Sequence, residues 1–234
     1  MSDYDVWAPD YDDWAAEMTE DVPFYVELAR EAGGDTIVEL GVGTGRVAIP
    51  VARETGKRVI GIDGSPAMLT VGRERAGDLP VEFREADFRD FTIEEPVDLV
   101  ICPFRALLHA PTWADKRRVF ESVAAALQPG GRFAWNSFVF SPFIAARNHG
   151  QKQTRGGDLW ELVQQVPADN RIDLTRGRGD REDGMVRLWW VTKSEWDGLV
   201  DVAGLEVESL YGWFDRRPFD DESQEFVYVA RKPA

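Results

Sequence analysis

Residues 38–46 read Val-Glu-Leu-Gly-Val-Gly-Thr-Gly-Arg, with three glycines at alternate positions. A short apolar run, 36–38, precedes them, and Val47, Ile49, Val51 and Ala52 follow at helical spacing. A strand, a glycine turn and a helix in that order is the setting of a loop that carries a nucleotide-type cofactor. Glycine lets the backbone approach a ligand closely, and the open amides at a helix start suit negative or electron-rich groups.

Spacing narrows the choice of cofactor. A dinucleotide fingerprint would place its third glycine at position 46, where Arg46 stands; here the glycines are Gly41, Gly43 and Gly45, with Glu39 two residues before the first. The stretch 58–62 reads as a second strand and ends in Asp63, whose carboxylate can take both hydroxyls of a ribose. A third strand, 81–86, ends in Asp87 and Phe88, a carboxylate and a ring able to hold the amino group and face of an adenine. Three such elements at successive strand ends form one constellation.

On VELGVGTG, VIGIDGSPAML, READF, VDLVICPFRALLH and LQPGGRFAWNSF, in that order between residues 38 and 138, the chain resembles the class I S-adenosylmethionine (SAM)-dependent methyltransferases. Its closer likeness is to small-molecule members with an inserted antiparallel layer, such as amino-sugar and glycine N-methyltransferases. The resemblance implies SAM as cofactor, with Gly41, Gly43 and Gly45 at its methionine and ribose portion, Asp63 at the ribose, and Asp87 and Phe88 at the adenine. Glu39, Gly64, Met68, Ala86, Cys102 and Phe104 are further cofactor contacts on the same basis, although Met68 also suits plain core filling. The implied fold is α/β: a doubly wound, mostly parallel, seven-stranded Rossmann-like sheet with an inserted antiparallel β layer. One domain, 1–234, would comprise a lid (1–34), a cofactor core (35–140), the inserted substrate or dimer layer (141–192) and a closing helix with the last two strands (193–234). In the resembling families the N-terminal piece folds over the cofactor, and a tyrosine near Tyr11 reaches the methionine end. The plainer alternative is that its aromatics only cap the core.

Charge bounds the partners. The chain carries 27 basic and 42 acidic residues, a formal net charge of −15. That balance repels phosphate backbones, so nucleic acid is not an expected partner. The clusters at 116–118 and 216–217 are too small to offset it. One cysteine among 234 residues permits no intrachain disulfide and fits a reducing cytoplasm. The start is acidic and lacks a signal pattern, and no apolar run approaches the roughly 20 residues of a membrane helix. The expectation is a cytoplasmic protein without a membrane partner.

Along the chain, a helix through Phe24 and Leu28 is predicted to end at Gly33-Gly34. Ser65 followed by Pro66 starts another. The fourth strand is 97–102. Thr112 with Asp115 opens a helix expected to run through Phe120, Val123 and Leu127 to Gly130-Gly131, before a fifth strand at 132–138. Strands alternating with helices predict a parallel, doubly wound sheet. After Ser141 the pattern changes to short strands, 160–166, 171–176 and 185–191, read as an antiparallel layer over the strand ends or as the surface of a homodimer. Thr192 and Glu195 form a capping box for a helix to about residue 203, and strands at 205–211 and 225–230 close the chain.

Methyl transfer from a sulfonium is a displacement that asks the protein to position, to desolvate and, where needed, to remove a proton. The two histidines and single cysteine make a His/Cys zinc site an unpromising reading. Residues after the fourth strand face the methyl group in this fold, which singles out Arg105, His109 and Trp113 on the acceptor side, with Tyr11 from the lid. His109 is the candidate general base, unless its ring only orders the loop. Arg105 could clamp an acceptor carboxylate or phosphate, or pair with Asp87 or Glu39. Cys102 precedes Pro103, the reverse of the Pro-Cys order in enzymes that methylate cytosine C5, and its residue type reads as buried core. Nine tryptophans are available to line an acceptor chamber, of which adjacent Trp189 and Trp190 must face opposite ways on a strand. The rival readings are an NAD-dependent oxidoreductase and a SAM-binding protein without turnover.

Overall fold

The computed structural model describes residues 4–16 and 19–234; residues 1–3, 17 and 18, which fall in the segment expected to form a lid, lie outside the described residues. In chain order come α1 (Tyr11–Ala15), α2 (Asp21–Glu31), β1 (Thr36–Leu40), α3 (Ala48–Thr55), β2 (Arg58–Asp63), α4 (Pro66–Ala76), β3 (Val81–Glu85) and β4 (Val97–Cys102). Next are α5 (Trp113–Ala126), β5 (Leu127–Phe138), α6 (Pro142–Asn148), β6 (Gln151–Gly156), β7 (Leu159–Val166), β8 (Arg171–Arg178) and β9 (Arg181–Trp189). The chain closes with α7 (Lys193–Val202), β10 (Glu206–Tyr211) and β11 (Glu225–Arg231).

Seven strands form the main sheet in the order β10-β11-β5-β4-β1-β2-β3. The five strands β1 to β5 run parallel, while β11 is antiparallel to both of its neighbours. The order reverses beside β1, so the loops after β1 and β4 diverge and leave a crevice at the carboxyl ends of the strands. Strand residues alternate between two apolar cores. One face is covered by α5 and α7 through Phe120, Val123, Trp196 and Leu199. The other is covered by α2 and α3 through Phe24, Leu28, Ala48 and Val51. Within the first core, Trp135 on β5 is fully buried between Phe133 and Tyr228, with ring centroids 4.8 and 4.7 Å away.

Caps behave as the residues dictate. Ser65, Thr112 and Ser141 each accept a bond from a first-turn amide, and Thr192 with Glu195 completes a capping box. The helix expected to run on through Leu127 ends earlier, at Ala126, and β5 begins at once. Gly130 adopts φ +82°, and the amide of Gly130 and carbonyl of Gly131 both bond Lys232, so the two glycines bulge within a strand instead of following a helix.

Strands β6 to β9 form a separate antiparallel sheet in chain order. Two elements here have no counterpart in the predicted pattern: α6, and β6, whose residues Gln-Lys-Gln-Thr-Arg-Gly include no apolar side chain. Such a strand owes its place to pairing with β7 at a sheet edge. The hairpin strand β9 also starts at Arg181, four residues before the stretch read as a strand. Among the described residues no helix is long and apolar enough to cross a membrane.

Candidate active site

The glycine loop holds its shape by backbone geometry that other residues resist. Gly41, Gly43 and Gly45 have φ values of +68°, +53° and +79°. A Cβ on Gly41 would stand 2.6 Å from that of Ala106, so the loop lies against the turn after β4. The amides of Gly41 and Val42 both donate to the carbonyl of Ile62, which ties the loop to the end of β2. There Asp63 accepts from the amides of Gly43 at 2.8 Å and Ser65 at 2.9 Å, one on each carboxylate oxygen. Burial pushes the Asp63 carboxyl above its ordinary range, and those amides pull it back. With a third amide, that of Gly64, also bonding it, the carboxylate keeps acceptor capacity for one further donor.

These residues wall a cavity of about 360 Å³, in the range of small-molecule sites. Gly41, Gly43, Asp63, Gly64, Met68 and Phe88 face Tyr4, Tyr11, Phe104 and His109 across it, with Val186, Arg187 and Trp189 of β9 completing the wall. Ala86 and Asp87 lie at an adjoining hollow that shares Gly64, Phe88 and His109. The Asp87 carboxylate is paired with Arg89 at 2.6 Å, which holds it below the usual carboxylate range. Gly45 shapes the turn from behind, where a Cβ would press on Ile49 and Phe83.

Glu39, Cys102 and Trp113 line neither this cavity nor the adjoining hollow. Glu39 is buried beneath the loop, its carboxyl pushed well up by burial and its Oε2 without a hydrogen bond. Beside it the buried Asp21 takes both arms of Arg46, at 2.8 and 2.5 Å, and the Arg46 guanidinium lies 4.4 Å over the ring of Phe104. Cys102 is fully buried in the core, where desolvation raises its thiol, because its strand position points it into the sheet packing. Trp113, at 44% exposure, lies away from the crevice at a small hollow beside Lys116.

A second cavity, of about 380 Å³, opens between the main sheet's strand ends and the inserted sheet. It shares Tyr4, Tyr11, Phe104, His109 and Val186 with the first. Arg105 lines it, but its partner is neither Asp87 nor Glu39. The guanidinium forks onto the buried Glu225 at 3.2 and 2.8 Å, because β11 pairs with β5 and brings that carboxylate to the end of the sheet. Asn136 joins the group: its amide nitrogen donates to Glu225, while its oxygen accepts from the Tyr25 hydroxyl and the Phe104 amide. That last bond helps fix Phe104 and Arg105 at φ +55° and +65°, two consecutive non-glycine residues in the left-handed region.

His109 sits where the cavities meet. Its Nε2 pairs with the Tyr4 hydroxyl at 2.9 Å, its ring also bonds the backbone of Arg187, and burial lowers its pKa to about 4. Burial also lifts the Tyr11 hydroxyl to about 12, so both groups are neutral near pH 7. Because His109 falls from 6.5 to about 4 on folding, the unfolded chain binds its proton first as pH drops. The His109 contribution is therefore intact above pH 6.5 and is lost towards pH 4, about 3 kcal/mol in all. His109→Gln, which keeps a donor and an acceptor, should remove that part of the pH dependence. Denaturant midpoints of both proteins between pH 7.5 and 4.5 test this, and parallel curves would refute the shift.

Tyr4, Val186, Arg187 and the Arg105–Glu225–Asn136 group were not singled out by position in the chain. The aromatic density before residue 15 was the one available signal for Tyr4. Nothing local marks Glu225, whose role depends on strand register.

Residues 37–131 match a family described as a methyltransferase domain. Across 225 residues the chain is 25% identical to the cypemycin N-terminal methyltransferase of Streptomyces sp, covering 89% of this chain and 87% of that one. It is 33% identical over 119 residues to the dTDP-4-amino-2,3,4,6-tetradeoxy-D-glucose N,N-dimethyltransferase of Saccharopolyspora spinosa, covering 51% of this chain and 46% of that protein. The solved CcbJ methyltransferase of Streptomyces caelestis superposes with a TM-score of 0.88 at 27% identity, over 100% of this chain and 99% of that one.

Proposed function

We propose that the chain is a class I SAM-dependent methyltransferase that methylates a nitrogen of a small-molecule amine held in the second cavity. The observation that carries this reading is the wall common to both cavities, where Tyr4, Tyr11, Phe104 and His109 bring two separate ligand spaces to one junction.

The first cavity suits the cofactor. Asp63 offers a carboxylate at the cavity wall for the ribose hydroxyls, and Met68 and Phe88 offer an apolar slot for the base. The left-handed glycines bring bare backbone to the wall. When bound, SAM supplies an activated methyl on a positive sulfur. The protein's part is then to align the acceptor and to exclude water.

Nitrogen is favoured over oxygen by the junction itself. A neutral amine carries its own lone pair, whereas a hydroxyl acceptor needs a base to take its proton. His109 is held near pKa 4 and bound by Tyr4, and Tyr11 keeps its proton. In this reading His109 positions Tyr4, and Arg105, locked to Glu225, shapes the chamber. The relatives that act on a peptide N-terminus and on an amino sugar accord with an amine acceptor.

Calorimetric titration with S-adenosylhomocysteine and separately with NAD tests the cofactor, followed by labelled SAM with matched amine, phenol and carboxylate acceptors. Micromolar binding of the first ligand alone and transfer only to amines are expected. Transfer to phenols and not to amines would overturn the nitrogen assignment.

A further inference from the structure

We propose that Arg176 is the clasp that closes the N-terminal segment over the first cavity, a positioning residue for cofactor retention supplied by the inserted sheet. The inference rests on the cofactor occupying that cavity. Tyr4 and Tyr11 form part of its wall, so the segment that carries them must be held in place for the cavity to be complete.

Arg176, on β8, lies between two indoles of that segment. Its guanidinium carbon is 4.9 Å from the ring centre of Trp7 and 4.8 Å from that of Trp14. A cation between two π faces is attracted to both, more so where water is excluded. Behind it, Arg176 Nε donates to Glu161 Oε1 at 3.0 Å, while Arg155 takes the other oxygen at 2.5 Å. Glu161 is 5% exposed, so the arginine is anchored from within its own sheet before it meets the segment.

The neighbouring strand is shaped for the same contact. Gly184 on β9 has φ +153°, and a Cβ there would come within 3.1 Å of Trp7 Nε1. Trp7 is 2% exposed, so its indole is seated in the sheet. Outside the seat, Arg178 faces Asp10 and Asp13 at 3.6 and 3.9 Å. On its other side the segment reaches the cofactor core: Ser65 Oγ donates to Asp5, and Thr44 Oγ1 donates to Asp12. The segment is thus strapped between the glycine loop and the inserted sheet, and Arg176 is the partly buried fastening on the sheet side.

The test measures release of S-adenosylhomocysteine from the full chain by stopped flow, for wild type, Arg176→Gln, Arg176→Lys and Trp14→Leu. Release at least tenfold faster is expected in Arg176→Gln and Trp14→Leu. Arg176→Lys, which restores the cation, should lie between them and wild type. A role confined to stabilising the sheet would lower the melting temperature and leave release from the folded protein unchanged. Thermolysin cleavage within residues 4–16, with no ligand present, should be at least fivefold faster in the same two variants. Release within twofold of wild type in both, or unchanged cleavage, overturns the clasp. Should Arg176→Gln fail to fold, Trp14→Leu decides by the same criteria. If wild type binds no S-adenosylhomocysteine, the cavity assignment fails separately, and the cleavage arm still decides whether Arg176 holds the segment.

Discussion

Replacing Asp63 with alanine is expected to weaken S-adenosylhomocysteine binding by about thirtyfold to a thousandfold. A hydrogen bond to a charged group contributes about 1.5–3 kcal/mol, and because the two proposed ribose hydroxyls share one carboxylate their bonds add only in part, so about 2–4 kcal/mol is at stake. A second effect adds to this. The amides of Gly43 and Ser65 lose their shared acceptor, and the loop that they fix loosens at the cavity wall. Asp63→Asn keeps one acceptor and the side-chain volume, and it should lose less. Calorimetric titration of the three proteins decides the matter: an affinity for Asp63→Ala within threefold of wild type would remove Asp63 from the site.

The largest loss of stability is expected at Trp135. It has no exposed surface and packs on Phe120, Phe133, Trp196 and Tyr228 at centroid distances from 4.7 to 5.8 Å. Truncation to alanine removes that burial and leaves a cavity among residues from both strands and helices, a cost of about 3–5 kcal/mol. For a chain of this length each kcal/mol lowers the melting temperature by roughly 2–4 °C, so a fall of about 6–20 °C is expected. Trp135→Phe retains most of the ring contact and gives up an indole N–H that has no hydrogen-bond partner, so its loss should be smaller. Denaturant unfolding checks both, and a loss below about 1 kcal/mol for the alanine variant would contradict the packing argument.

What could be read from the residues alone follows a physical divide. The glycine loop was legible because positive φ and close approach demand glycine at fixed spacing, a requirement local to nine residues. The same holds for Ser65, Thr112 and Thr192, whose capping bonds span only three residues. Asp63, Met68 and Phe88, read as cofactor contacts from their place after the second and third strands, all line the first cavity, where the parallel strands end.

Other features depend on pairings distant in the chain. For Arg105 the sequence left open an acceptor clamp or a pair with Asp87 or Glu39, yet its partner Glu225 lies 120 residues away and reaches it only through the antiparallel docking of β11 on β5. Strand β6 has no apolar alternation to reveal it. Trp113 was read towards the acceptor from its place after the fourth strand, but the 3-10 turn at Ala106–His109 and the start of α5 carry it to the outer surface.

The inserted sheet leaves the main fold after β5 and rejoins it at α7, so residues 141–192 form a natural crossover block for chimeras with related enzymes. Most of the second cavity's lining would travel with that block, and the glycine loop would stay behind. The contacts of Arg176 and Gly184 with Trp7 and Trp14 place a second piece under the same inheritance. A chimera that exchanges the sheet alone would set one protein's arginine against another's aromatic segment. Moving residues 4–16 together with 141–192 keeps the two halves of the fastening matched, and lets recombination change the second cavity while the glycine loop and Asp63 remain native.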